Sequence, residues 1–378
     1  MDGALALLLA SGALVLWTYA GYPMALWLVT RWAARPIQRG PVAADVALVI
    51  VVRNEAKVIA DKLASCLAQT WPADRLRIVV VSDGSTDDTQ AIVEGFRDPR
   101  IEWRGFADHR GKAARVCQIA AERSESILVL TDARQRLHPE AVGRLLEPFA
   151  DPTVGAVGGA LHLESDPAAR SGPQLGAYWR YESAVRRLEA RLDSMVGVSG
   201  ALYALRRSAF QPIPDSTVLD DVLIPMQVAA QGWRVVYAPE AIAWDRIHPD
   251  PAIERRRKVR TLAGNFALLA EQPWLLNPQR NRLWWQFMSH KVARLAVPPA
   301  LVLALAATAA LVPARPVFGL LLAAQLILYA AALHPRWAEQ AARAKPMRLA
   351  LTFVQMNAYV WLGFREWRSN RRLHAWRP

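Results

Sequence analysis

The sequence predicts an α/β fold, a mostly parallel sheet flanked by helices, with transmembrane helices at its N-terminal and C-terminal ends. Three observations carry this expectation. Short apolar runs alternate with helix-like segments from Val46 to about residue 161, the pattern of strands buried on both faces and joined by crossover helices. Residues 3–30 contain no charged side chain and, at 1.5 Å per residue, are long enough to cross about 30 Å of hydrocarbon. Residues 295–314 and 316–335 likewise contain no Asp, Glu, Lys or Arg.

Each element has a local reason. "VALVIVV" (46–52) reads as a buried strand, and "RNEAKVIADKLASCLAQ" (53–69) as a helix that Asn54 can cap and Trp71-Pro72 stops. "LRIVVV" (76–81) is a second strand, followed by the turn "SDGSTDDT", where Thr86 or Asp87 can cap a helix over 88–96. A short strand at "IEW", a helix from about Lys112 to Arg123, the strand "ILVLT" and a helix over 139–149 with Pro139 in its first turn follow. "VGAVGGAL" and "RVVYAP" read as further strands. An open sheet of this kind binds ligand at the carboxyl ends of its strands, and three of those ends are polar: Arg53-Asn54-Glu55, Ser82-Asp83-Gly84-Ser85 and Thr131-Asp132. Any one is an ordinary cap or turn; three together predict a carboxylate-lined cleft.

The chain has 378 residues, 53% of them hydrophobic and 15 of them Trp, which suits a large core and excludes a disordered chain. The net charge of +13 would suit nucleic acid, but much of the excess flanks the apolar spans: Arg31, Arg35 and Arg39, then Lys291 and Arg294, then basic positions from Arg336 to Arg372. Anionic headgroups and the positive-inside bias account for that placement, so membrane lipids are expected as partners and nucleic acid is not. The start "MDGALA" lacks the basic opening of a cleaved signal peptide, which favours a retained anchor. Cys66 and Cys117 lack metal-ligand spacing and read as free thiols.

The expected organisation is an anchor with its basic flank (1–41), a soluble domain (42–280), an interfacial amphipathic helix (281–294) carrying Trp284, Trp285 and Phe287, and a C-terminal membrane region (295–378). That region has two or three spans and a basic tail. The uncharged stretch 349–364 is short for a span, and a fourth full crossing would put the tail "REWRSNRRLHAWR" on the side opposite the other basic flanks.

The blocks "VIVVRNEAKVI", "VVVSDGSTDDT", "HRGKAARVCQIA" and "VLTDAR" occur in the order seen in inverting glycosyltransferases of family 2, which have the GT-A fold, and the chain resembles that family over roughly residues 45–265. The resemblance implies a nucleotide-sugar donor, a UDP-sugar foremost, and Mg²⁺ or Mn²⁺. It implies Asp83, in a turn with Gly84, at the base or ribose, with Arg53 and Glu55 near the same nucleotide and Lys112 near the diphosphate. Asp132 is the metal candidate. In the family a second aspartate usually stands two residues on; here it is Arg134, and a guanidinium cannot ligate a cation. Either Asp132 binds the ion with phosphate and water completing the shell, or Arg134 takes over part of the diphosphate neutralisation; the first is favoured, because Mg²⁺ tolerates mostly phosphate and water ligands.

"MVGVSGALYALRR" resembles the family's acceptor segment, with Gly197 and Gly200 allowing close backbone approach. Asp220 and Asp221 open the next helix, and the resemblance makes Asp221 the base that takes a proton from an acceptor hydroxyl. In "ERRRKVRTL", Arg260 occupies the position of the family's diphosphate-side arginine and is, with Asp220 and Asp221, a catalytic candidate; Arg257 is a donor-binding one. Polymer-forming members carry Gln and Trp where Arg257 and Thr261 stand here, and the missing Trp removes a stacking platform for an acceptor sugar.

The resulting expectation is an inverting hexosyltransferase moving a sugar from a nucleotide diphosphate to a lipid-linked or polysaccharide acceptor. Its place is a bacterial inner membrane, multi-pass, with the catalytic domain in the cytoplasm. The alternative is a non-catalytic nucleotide-sugar-binding scaffold serving export partners. A transporter would need ionisable groups within its spans, and these have none.

Overall fold

The computed structural model describes residues 2–164, 172–246, 250–334 and 345–369. Arg336, Arg343, Arg371 and Arg372, to which the charge argument appealed, lie outside the described residues.

Helix α1, Asp2–Val29, is the first of three helices long and apolar enough to cross a membrane. The sheet begins with β1 (Val46–Val52), every residue of which is buried. With β2 (Leu76–Asp83), β3 (Ile101–Phe106) and β4 (Ile127–Leu130) it forms a parallel array in the order β3-β2-β1-β4. The register Val52↔Ser82 sets the carboxyl ends of β1 and β2 level, which brings their polar tips to one edge. Alternating residues of these strands face two apolar cores. Val49, Val51, Val79 and Val81 pack with α4 (Lys112–Glu122), while Leu48, Ile50 and Val80 pack with α2 (Ile59–Leu67) and α5 (Ala141–Leu146); α3 (Thr89–Gly95) lies between β2 and β3 in sequence.

The second half of the sheet is mixed. Strand β7 (Tyr203–Arg206) runs antiparallel to β4 and to β6 (Val154–Glu164), β8 (Arg234–Arg246) is parallel to β6, and the two-residue β5 (Arg136–Leu137) closes the edge antiparallel to β8. Among the described residues the sheet is thus eight-stranded, parallel where the expected ligand-binding tips gather and mixed where residues 195–202 turn the chain back. Helices α6 (Gly172–Leu192), α7 (Asp220–Ala230) and α8 (Pro251–Glu271) complete the domain.

Two expectations change. The helix expected from residue 53 begins at Ile59: Asn54 adopts φ 56° and its Oδ1 accepts from the Thr86 N–H at 2.8 Å, so it ties two loops together instead of capping a helix. The interfacial helix expected over 281–294 is not separate. From Trp284 it is continuous with the second membrane-length helix, α9 (Trp284–Leu311), through a π-helical turn at Met288–Val292, and Pro298 and Pro299 lie further along the same helix. The third such helix is α10 (Pro316–Leu333). Helix α11 (Lys345–Ser369) is not among the three; it packs on α8, where Gly363 admits the Leu262 and Ala263 backbone at a distance no side chain would allow.

Candidate active site

The site is assembled from three chain segments at the carboxyl edge of the sheet. Asp132 follows β4, Lys112 opens α4, and Asp220-Asp221 open α7. The Lys112 Nζ lies 2.8 Å from Asp132 Oδ1 and 3.1 Å from Asp220 Oδ2. Burial pushes the Lys112 ammonium down, but Asp132 and Asp220 outweigh it and hold it well above its ordinary value. Across from this pair, Asp221 Oδ2 accepts from the Gly200 N–H at 3.3 Å. A Cβ at Gly200 would sit 3.5 Å from Asp132 Oδ2 and 3.6 Å from Asp221 Oδ2, so the missing side chain keeps open the space between the two carboxylates. Gly197 serves the same segment: its Cβ would press on Val222 at 3.2 Å, and the adjoining Val198 N–H donates to the Asp221 carbonyl at 2.9 Å.

Burial first, and the neighbouring Asp220 second, push the Asp221 carboxyl up to about 6. Tyr203 backs Asp220, its hydroxyl 3.4 Å from Oδ2. Arg260, on α8, lies within electrostatic reach of Asp220 and Asp132 from the opposite wall. Arg257 turns instead to Glu254, donating at 2.7 Å.

Asp83 is placed differently from its neighbours. Its side chain has no exposed surface, and its oxygens accept from the Arg110 N–H (3.0 Å), the Gly111 N–H (2.9 Å) and Arg115 Nε (2.8 Å). Burial would push this carboxyl up, but the Arg110 N–H, Arg115, His109 and Gly111 together hold it below the usual carboxylate range. His109 Nδ1 lies 2.6 Å from Asp83 Oδ2, and its Nε2 lies 2.9 Å from Arg53 Nη1. A guanidinium only donates, so Nε2 accepts and Nδ1–H donates to Asp83. Asp83, expected at the base or ribose, holds the 107–111 loop, whose His109 contacts Arg53 of the loop after β1. Gly84 belongs to the same device: at φ 74° its Cβ would meet the Ala107 and Asp108 carbonyls at 3.3 Å.

Arg134 is committed to two acids away from its own loop. It is ion-paired with the buried Asp245 of β8 and lies 4.0 Å from Glu254 of α8, while Gln135 Nε2 donates to the same Asp245 at 3.1 Å. Glu55 faces Asp132 and Arg134, and burial, followed by the Asp132 charge, pushes it up to about 7. Beneath the Asp132 loop, the buried Lys62 donates to Thr131 Oγ1 (2.6 Å) and to the Gln135 carbonyl (2.8 Å); burial pushes it down to about 8.

His109, Arg115, Asp245, Glu254 and Lys62 were not identified from the sequence. Arg115 and Lys62 carried a readable signal, since each is a cation on the apolar face of an amphipathic helix: Arg115 among Val116, Ile119 and Ala120, Lys62 among Ile59, Leu63 and Cys66.

The donor set tests the fit of a divalent cation. Asp132 is 42% exposed, and its Oδ2 has no hydrogen-bond donor among the described residues. No three His, Cys, Asp or Glu side chains gather as a cage among those residues. The arrangement fits an open shell with one protein carboxylate, the remainder coming from phosphate and water.

Comparison with known proteins gives a consistent picture. The family described as glycosyltransferase like family 2 matches residues 43–264. The chain is 20% identical over 234 residues to the poly-beta-1,6-N-acetyl-D-glucosamine synthase of Staphylococcus epidermidis, covering 61% of this chain and 56% of that protein. It is 22% identical over 221 residues to the synthase of the same name from Staphylococcus aureus strain COL, covering 57% and 53%. The chain therefore spans about half the length of the curated relatives it matches. Among solved structures, the mannosyltransferase PcManGT of Pyrobaculum calidifontis, in complex with GDP-Man and Mn²⁺, superposes with a TM-score of 0.74 at 24% identity, covering 97% of this chain and 99% of that one.

Proposed function

The chain belongs to glycosyltransferase-like family 2, and on that premise we propose that it is a membrane-anchored inverting transferase passing one sugar from a nucleotide diphosphate to a lipid-linked or glycan acceptor. The observation that carries this reading is the Lys112 ammonium held between Asp132 and Asp220, with Asp221 across the Gly200 gap. Lys112 and Arg260 place positive charge where a diphosphate leaves. Asp132 would hold a Mg²⁺ or Mn²⁺ ion, which when bound offsets charge on that diphosphate. Asp221, fixed by the Gly200 N–H, takes the proton of the acceptor hydroxyl as it attacks the anomeric carbon from the face opposite the leaving group. One displacement inverts the configuration. Arg53, held by His109, offers its guanidinium at the end of the cleft where a base and ribose fit, and a UDP-sugar is the first donor to try. Arg134, tied to Asp245, braces β8 and α8 against the metal loop, which favours Asp132 as the single carboxylate ligand.

Three spans would also suit the charge pattern. With α1, α9 and α10 crossing, the N-terminus lies outside, and the domain over 42–280 lies in the cytoplasm of a bacterial cell with the basic C-terminal tail. Residues 1–41 form the anchor, and the segment 281–294 is the root of α9.

The test is a hydrolysis screen of nucleotide-sugars with the full chain in detergent, repeated with Asp221→Asn and followed by transfer to an acceptor. The reading expects one donor to be consumed, with Asp221→Asn slower by about 10²–10⁴-fold in transfer. Equal transfer by both proteins removes Asp221 from the base role. Tight nucleotide binding with no turnover of any donor supports a scaffold instead.

A further inference from the structure

At the junction of the soluble domain with the membrane helices lies a polar cluster that the transfer chemistry leaves unused. On α6, Glu182 pairs with Arg294 of α9 at 2.9 Å and with Arg186 at 3.5 Å, and Glu189 accepts from the Tyr22 hydroxyl of α1 at 2.6 Å. His290 of α9 lies between the two glutamates, at 2.8 Å from Glu189 and 3.0 Å from Glu182. Apart from the Glu182–Arg186 pair within α6, these contacts bind α1, α6 and α9 to one another. Lys291 does not take part: its ammonium has no hydrogen-bond or ion-pair partner among the described residues, and its side chain is half-buried. It lies within electrostatic reach of Glu182, Arg186, Arg294 and Asp221. The two glutamates take His290, Arg294, Arg186 and the Tyr22 hydroxyl as partners, so Lys291 is the cation of this cluster left without one among the described residues.

Local geometry supports a dedicated position. Lys291 stands in the π-helical turn Met288–Val292, and α1 has its own π-helical turn, Trp17–Gly21, with Trp17 Nε1 donating to Ser289 Oγ at 3.2 Å. A π turn re-aims a side chain that a regular helix would send elsewhere, and such turns concentrate at functional sites. Around it, Trp285 packs edge-on against Trp17 and Tyr22, an aromatic layer of the kind found at headgroup depth. An unpaired ammonium at that depth, within electrostatic reach of Asp221, is a receptor for an anion that arrives from the membrane.

We propose that Lys291 receives the phosphate of a lipid-linked acceptor and so places a hydroxyl of that acceptor at Asp221. This deepens the transferase reading and rests on it for the role of Asp221. The anion chemistry is that of a phosphate ester, and the depth of Lys291 assigns it to a lipid over a free phosphate.

The experiment measures binding of farnesyl phosphate, farnesol and inorganic phosphate to the full chain in neutral detergent, with wild type, Lys291→Gln and Lys291→Arg. Wild type is expected to prefer farnesyl phosphate over farnesol by about tenfold or more, Lys291→Gln to bring the two within about twofold, and Lys291→Arg to restore most of the preference. Inorganic phosphate is expected not to compete at equal concentration. Nucleoside diphosphate affinity, read on the same preparations, reports that the variants are folded. No preference in wild type, or a preference that survives in Lys291→Gln, overturns the proposal, and competition by inorganic phosphate at equal strength overturns the lipid assignment. Because these readouts need no turnover, failure of the transferase reading shows separately, as a protein that binds the probe yet consumes no donor.

Discussion

Asp221 sets the pH behaviour of the site. Its carboxyl is pushed up to about 6 by burial and by Asp220, so the proposed base role requires a pH above that value. Transfer is therefore expected to rise as pH climbs through about 6, reaching roughly one tenth of its plateau one unit below. A pH–rate profile under saturating donor checks this, and a flat profile between pH 5 and 8 contradicts it. The stability consequence has the opposite sense. A folded value above the unfolded one means that Asp221 favours the folded state most when protonated, and that this contribution is lost as pH rises through about 6. Asp221→Asn is thus expected to melt no lower than wild type at pH 8 while being nearly inactive, which separates catalysis from folding. Much of this was legible beforehand. Asp132 ends a buried strand and Asp220-Asp221 exceed what one helix cap needs, so sequence alone could single them out. The enclosure of Asp83 was not legible, because it depends on residues 107–111 folding back over it, which no periodicity records.

Elements show how the loops are held to their geometry. The turn after β2 works only with glycine at position 84, where φ is 74° and two carbonyls stand 3.3 Å from the place of a Cβ. Gly84→Ala is expected to cost about 1–2 kcal/mol and to loosen the Asp83–His109–Arg53 chain. Thermal unfolding reads the first effect and a raised KM for donor with kcat little changed reads the second; a wild-type Tm and KM would show that the turn tolerates a side chain. The β-strands were readable as continuous apolar runs, since a central parallel strand has no polar face to interrupt the pattern. Strand β5 and the start of α2 were not, the first because two residues carry no periodicity, the second because Asn54 takes a left-handed conformation that its capping propensity hid.

For the whole molecule, the anchor is part of the fold as well as a tether. Tyr22 of α1 is 1% exposed, and its hydroxyl donates to a glutamate that has no solvent contact, so the first span is locked to α6 inside the domain. Tyr22→Phe removes a charge-assisted hydrogen bond and is expected to cost about 1.5–3 kcal/mol, seen as a lower Tm of the full chain in detergent. An unchanged Tm would mean that α1 contributes nothing to the domain. The spans themselves were plain from hydropathy, whereas the union of residues 281–294 with α9 was hidden because an amphipathic stretch that leads into a span reads the same whether it bends or continues.

The central claim is that Asp132 and Lys112, brought together from β4 and α4, form one donor-diphosphate site. Titration of UDP and GDP into the full chain, with and without Mn²⁺, tests it most directly when repeated with Asp132→Ala and Lys112→Ala. The account predicts that Mn²⁺ tightens nucleotide binding about tenfold or more in wild type, that Asp132→Ala loses this gain, and that Lys112→Ala binds weakly with or without the ion. Nucleotide affinity and metal response equal to wild type in both variants would contradict it.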